Sequence, residues 1–132
     1  MRIPVLVLLL GSAGSGLAQR TFDVTIADST YHMKQYWFVL YTKGDGPPMD
    51  SLTAATLQKE HLAHQGAQAA RGLIVMAGPF GSNDEGWRGS LLYDCETREE
   101  VEAQLVIDPF VKSGRLTYTI VPWWGAVGTK LP

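Results

Sequence analysis

Six consecutive residues, Tyr36-Trp37-Phe38-Val39-Leu40-Tyr41, constrain this chain more than any other feature. Aromatic and β-branched side chains throughout read as a β-strand, and a strand sends alternate side chains to opposite faces. Both faces here are apolar, with Trp37, Val39 and Tyr41 on one and Tyr36, Phe38 and Leu40 on the other. A strand with one solvated face alternates apolar with polar residues, so this one needs cover on both sides. A chain of 132 residues holds one domain at most. One cover comes from its own helices, and the other has to come from a second copy or from the chain ends.

The elements that follow are legible from their boundaries. Lys43 to Pro48 is rich in Gly and Pro and breaks the strand. Asp50 or Ser51 caps a helix from about Leu52 to Arg71, rich in Ala and Leu and stopped by Gly72. Leu73 to Ala77 is a second strand, closed by Gly78-Pro79. After the polar, mobile turn Gly81 to Gly86, Trp87 to Tyr93 forms a hairpin with it. Thr97 with Glu100 is a capping box that starts a second helix carrying Val101, Leu105 and Val106. That helix ends near Ile107, because a residue before proline leaves helical geometry. Asp108 then caps one short turn with Pro109 at its first position, ending at Gly114. Leu116 to Val121 alternates as the last strand, and Pro122-Trp123-Trp124-Gly125 follows as a hydrophobic tail. Strand, helix, strand, strand, helix, strand is the split βαβ order of an α+β, ferredoxin-like fold, an antiparallel sheet with both helices on one face. The bare face predicts a symmetric homodimer.

Before the domain, Met1-Arg2, the apolar run Ile3 to Leu10 and the small residues up to Ala18 have the three-part order of an export signal. The run is too short to span a bilayer. The organisation read is therefore a signal peptide over 1–18, a linker or short extra strand over 19–33, a domain over 34–125 and a tail over 126–132. A buried N-terminal element, or a start at Met33, is the plainer alternative. Export implies a periplasmic or secreted protein with no membrane attachment after cleavage. Eleven Lys and Arg against thirteen Asp and Glu argue against nucleic acid as a partner. An RNA-binding module of the same strand order would also need aromatics that Trp87 to Tyr93 does not place correctly. A single cysteine, Cys95, permits no internal disulfide and no thiolate zinc cluster.

Five blocks in order resemble the YciI-related (YCII) domain family. They are His61-Leu62-Ala63-His64, Ala77-Gly78-Pro79-Phe80, Gly86-Trp87-Arg88-Gly89, Asp108 to Leu116 and Pro122 to Gly125. The resemblance spans roughly residues 34–125. It implies a ferredoxin-like fold of the dimeric α/β-barrel type, associated through the open sheet face. The family has no settled activity, and related dimeric barrels include isomerases, monooxygenases and dehalogenating lyases acting on small ring compounds. The family's proposed active-site pair is a helix histidine and the aspartate before the DP proline. Carried over by motif these are His61 and Asp108, with no role carried onto His64.

Read from the residues alone, histidine suits proton transfer near neutral pH, and a carboxylate on one imidazole nitrogen fixes the tautomer of the other. The plainer readings are a helix histidine for His61 and a helix cap for Asp108; the two roles of Asp108 are compatible. His61 and His64 share a helix side, but catalytic zinc needs three ligands and no third is signalled, so no metal is expected. No cofactor is implied either. Arg88 and Ser90 are candidate substrate-binding residues, Arg88 as a bidentate carboxylate clamp, with Phe80 closing the concavity at the Gly78-Pro79-Phe80 turn. Cys95 reads as a small buried hydrophobe, and Trp123 and Trp124 as packing residues. The expected function is an exported small-molecule enzyme performing isomerase- or lyase-type acid–base chemistry on a small cyclic substrate. A non-catalytic ligand-binding or interaction module of the same fold is the alternative.

Overall fold

In the computed structural model, which describes residues 20–132, the doubly apolar segment is the middle of a much longer strand. The expected export signal lies outside the described residues. Strand β1 (Thr21–Ile26) turns at Ala27 and Asp28 into β2 (Ser29–Lys43), so the described part of the segment read as a linker or short extra strand holds the first arm of a hairpin, its turn and the start of the second arm. Ala27 accepts a positive φ of 52° to make that turn tight.

Helix α1 (Ser51–Ala70) starts where Asp50 accepts from the Thr53 N–H at 2.8 Å. It is followed by β3 (Ile74–Pro79), β4 (Trp87–Tyr93), α2 (Arg98–Leu105), the short α3 (Pro109–Lys112) and β5 (Leu116–Ala126). β2 is central. It pairs antiparallel with β5 along Met33–Lys43, and on its other edge with β1 over Ser29–Lys34 and β4 over Trp37–Thr42. β3 completes the sheet beside β4. The order β3-β4-β2-β5 is that of the ferredoxin-like α+β fold, with β1 added beyond the end of β4.

Three boundaries differ from expectation, two of them for one reason. Because β2 reaches back to Ser29, Met33 to Tyr36 offer ladder partners to Trp123, Trp124, Gly125 and Ala126. The hydrophobic tail is therefore the second half of β5, and Pro122 is tolerated there because β5 is an edge strand. β3 likewise runs through Gly78 and Pro79, paired with Ser90 and Gly89. The turn 81–86 is braced by Asn83, which donates to the Gly81 and Trp87 carbonyls and accepts from the Trp87 N–H.

The core lies between sheet and helices. Val39, Tyr41, Leu91, Tyr93, Ile74 and Ile120 meet Val101, Leu105 and Cys95. The capping box at Thr97 and Glu100 is present as read. On the opposite face, Tyr36 and Phe38 stand in register with Trp123 and Val121, which are 45% and 43% exposed. The end of β2 is held in a different way. Gly44 and Gly46 donate to the Arg115 and Gly114 carbonyls at 2.9 and 2.8 Å, and the backbones are so close that a Cβ on either glycine meets a carbonyl oxygen.

Candidate active site

Helix α1 turns a stripe of residues at helical spacing onto the sheet: Ala54, Leu57, His61, His64, Gln65 and Gln68. Its lower half is polar, and His61 is buried there at 7% exposure. Asp108 sits opposite at 0%, at the start of α3. His61 Nδ1 lies 2.8 Å from both Asp108 oxygens. Asp108 Oδ1 also caps α3 by accepting from the Phe110 N–H at 2.8 Å, and Oδ2 accepts from the Tyr41 hydroxyl at 3.1 Å. The cap and the histidine contact thus coexist on one carboxylate. Burial pushes the Asp108 carboxyl up, but the bonds from His61, Phe110 and Tyr41 outweigh it and hold it below the usual carboxylate range. Burial, reinforced by Asp108, pushes the Tyr41 phenol far up, so Tyr41 stays a donor.

An ionised carboxylate only accepts, so Nδ1 carries the proton and Nε2 presents its lone pair. Gln65, one turn further along α1, places its amide nitrogen 2.9 Å from Nε2 and donates to it. Phe110 stacks on the imidazole with centroids 4.6 Å apart, and the Tyr41 ring meets it edge-on at 5.8 Å. His61 is thus held at both nitrogens, with one aromatic ring stacked on it and another meeting it edge-on. Tyr41, Gln65 and Phe110 were not singled out from the sequence. The signal for Gln65 was its i+4 spacing from His61, whereas Tyr41 read as one of the apolar strand residues and Phe110 as part of the short turn after Asp108.

His61, Gln65, Tyr41 and Phe110 line a cleft of about 960 Å³ between α1 and the ends of β2, β3, β4 and β5. That volume is ample for a small molecule, since such sites run ~300–1,000 Å³. Gly78, Pro79, Arg88 and Ser90 line it too. Arg88 occupies a bulge, because Tyr41 pairs with Gly89 but Thr42 pairs with Trp87. Ser90 keeps register with Leu40 and Gly78, so its backbone borders the cleft while alternation turns its hydroxyl to the outer face. Phe80 is outside the lining; it packs on Trp87 at 5.4 Å, because β3 continues past the expected turn and carries it away. His64 donates from Nε2 to the Gln104 carbonyl at 2.8 Å and ties α1 to α2. Cys95 is buried, and its thiol is pushed up by burial and by Glu100 and Asp94, which does not suit a nucleophile.

A model of the YCII-related domain matches residues 37–124. The matched segment runs from β2 to β5 and contains both His61 and Asp108. Among curated proteins, none matches the sequence. A solved structure, the 5-chloro-2-hydroxyhydroquinone dehydrochlorinase (TftG) of Burkholderia phenoliruptrix AC1100 in complex with 2,5-dihydroxybenzoquinone, is 26% identical. The alignment covers 66% of this chain and 92% of that one, with a TM-score of 0.47.

Proposed function

This chain belongs to the YCII-related domain family, and from that premise we propose a small-molecule enzyme in which His61 and Asp108 form an acid–base pair. The observation that carries the reading is the orientation of the imidazole. Nδ1 is bound to a sealed carboxylate and Nε2 points to a residue of the cleft wall. Asp108 holds the tautomer and balances the imidazolium that forms when Nε2 takes a proton. Nε2 removes a proton from a carbon acidified by a neighbouring carbonyl. The proton then returns to another carbon, which is an isomerisation, or the electron pair expels a leaving group, which is an elimination. Gln65 covers Nε2 until substrate displaces it. After proton transfer its amide can turn and accept from Nε2–H through Oε1.

The test is a screen of small enol-lactones, halogenated ring compounds and ring ketones, with loss of substrate C–H followed by proton NMR in D2O. His61→Gln keeps a hydrogen-bond donor for Asp108 but no base. Washout of substrate protons by the native chain, and its loss in His61→Gln, is the expected result. Undiminished exchange in the variant would remove His61 from the chemistry.

Two further readings accompany this one. The outer-face residues Tyr36, Phe38, Val121 and Trp123 favour a homodimer through the open sheet face. Light scattering then gives about twice the chain mass, and a monomer at micromolar concentration counts against it. Export rests on the order of residues 1–18 alone. Mass spectrometry from the native host tests it by an N-terminus at or near Gln19.

A further inference from the structure

Among the described residues, the charged ones lining the cleft are Lys43, Arg88 and Arg115, and no Asp or Glu is with them. This runs against the whole chain, whose formal net charge is -2. Asp108 lies behind His61, fully buried, with both oxygens occupied. The acids nearest in sequence, Asp45, Asp84 and Glu85, are exposed and outside the lining. Among the described residues none of the three cations joins a carboxylate in an ion pair.

The register explains how they converge. Lys43 ends β2, directly across from Leu116, while the next residue, Gly44, bonds the Arg115 carbonyl. On its other side the Lys43 N–H donates to the Gly86 carbonyl, two residues before Arg88. Lys43 at the end of β2, Arg88 on β4 and Arg115 just before β5 are therefore brought to one end of the cleft. Arg115 also lies over the Phe110 ring at 5.2 Å, and Phe110 stacks on His61. Cations gathered in a concave, partly apolar site with no acid to neutralise them form a field that favours an anion. Met49, Leu62, Phe110 and Leu116 supply apolar surface in the same cleft.

We propose that the cleft takes a small organic acid, its carboxylate or acidic hydroxyl held among Lys43, Arg88 and Arg115 and its apolar body against Met49, Leu62 and Leu116, within reach of His61. This names the substrate class for the acid–base site above and rests on that reading only for the reaction, not for binding. The anionic group is anchored at one end while the bond to be ionised lies at the other. Charge that develops when Nε2 takes its proton also falls within the field of the same cations.

The experiment compares benzoate with benzamide, which has the same shape and no charge, by calorimetry and by amide shifts in NMR. Benzoate should bind with shifts at Lys43, Arg88 and the His61 turn, and benzamide at least ~10-fold more weakly. Arg88→Gln and Lys43→Gln should each weaken benzoate by ~10-fold, the scale of a charge-assisted hydrogen bond. Arg98→Gln, which lies on α2 in a pair with Glu102, should leave it unchanged. Rising salt should weaken benzoate in the native chain and less so in the variants. Equal binding of benzoate and benzamide, failure of benzoate to bind at millimolar concentration, or indifference to both cleft substitutions would each overturn the proposal. His61→Gln separates the two ideas. Benzoate binding that survives while no reaction depends on His61 removes the acid–base reading alone. Turnover that needs His61 but shows no preference for acids removes the anion proposal alone.

Discussion

α1 and α2 lie on the same face of the same sheet and are held there by opposite means. α2 presents Val101 and Leu105, both fully buried, to Val39, Tyr93 and Ile120. The buried residues of α1 are His61 and Gln68, both polar. Each has a partner: His61 meets Asp108, and Gln68 accepts from the Tyr93 hydroxyl at 2.6 Å. A buried polar group without a bond costs ~1–3 kcal/mol, so the α1 interface is stable only while those bonds are satisfied. An apolar contact carries no such condition. The half of the sheet under α2 thus supplies stability, and the half under α1 holds polar groups in fixed directions beside a cleft.

That division can be broken from either side. The largest effect belongs to His61→Gln, which should lower turnover by ~10²–10⁴ while benzoate binding persists. Leu105→Ala should do the reverse. It should cost ~2–5 kcal/mol in urea unfolding, with the kinetic constants of the folded fraction unchanged. If Leu105→Ala altered kcat as strongly as His61→Gln, the two halves would not be separate.

Asp108→Asn sharpens the comparison, because it touches the polar half alone. The folded Asp108 carboxyl lies below its unfolded value, near 3.9. Its ionisation therefore favours the fold above about pH 4, and that contribution is lost as pH falls through the lower, folded value. Urea midpoints taken from pH 6 to pH 2 should show this acid limb in the native chain and a shallower one in Asp108→Asn. Nitrogen-15 spectra should show His61 protonated on Nδ1 in the native chain, and the variant should lose that tautomer. The smallest effect is Thr97→Ala, which removes the α2 cap for ~1 kcal/mol and should leave His61 unmoved.

The same contrast accounts for what the sequence made legible. Apolar periodicity, caps and Gly-Pro breaks follow local rules, so the order of elements, the capping box at Thr97 and the Asp108–Pro109 start of α3 could all be read. The two apolar faces of Tyr36 to Tyr41 likewise marked the central strand. The lengths of β2 and β5 could not be read, because each is extended by the other: Ser29 to Gln35 is largely polar, and Pro122 argues against a strand unless its partner is known. His61 and Asp108 stood out because histidine and Asp-Pro are chemically conspicuous. Tyr41 and Gln65 did not, since a tyrosine in an apolar strand and a glutamine on a helix are ordinary until the fold brings them together. Phe80 was misplaced by a strand boundary of two residues, and Ser90 by the alternation that turns its hydroxyl outward.

The backbone contact of Gly44 and Gly46 with Ser113, Gly114 and Arg115 has a consequence for how this cleft can diverge. That stretch of wall has no side chains to exchange, and any added one would push the two segments apart. It also ties the strand end bearing Lys43 to the one bearing Arg115. Over a lineage, the room available to the apolar part of a ligand is therefore free to drift through other lining side chains such as Met49, Gln58 and Leu62. The spacing of Lys43 and Arg115 is inherited with the backbone. Descendants of such a chain should differ in the size of the molecule they accept sooner than in the demand that it carry an acid.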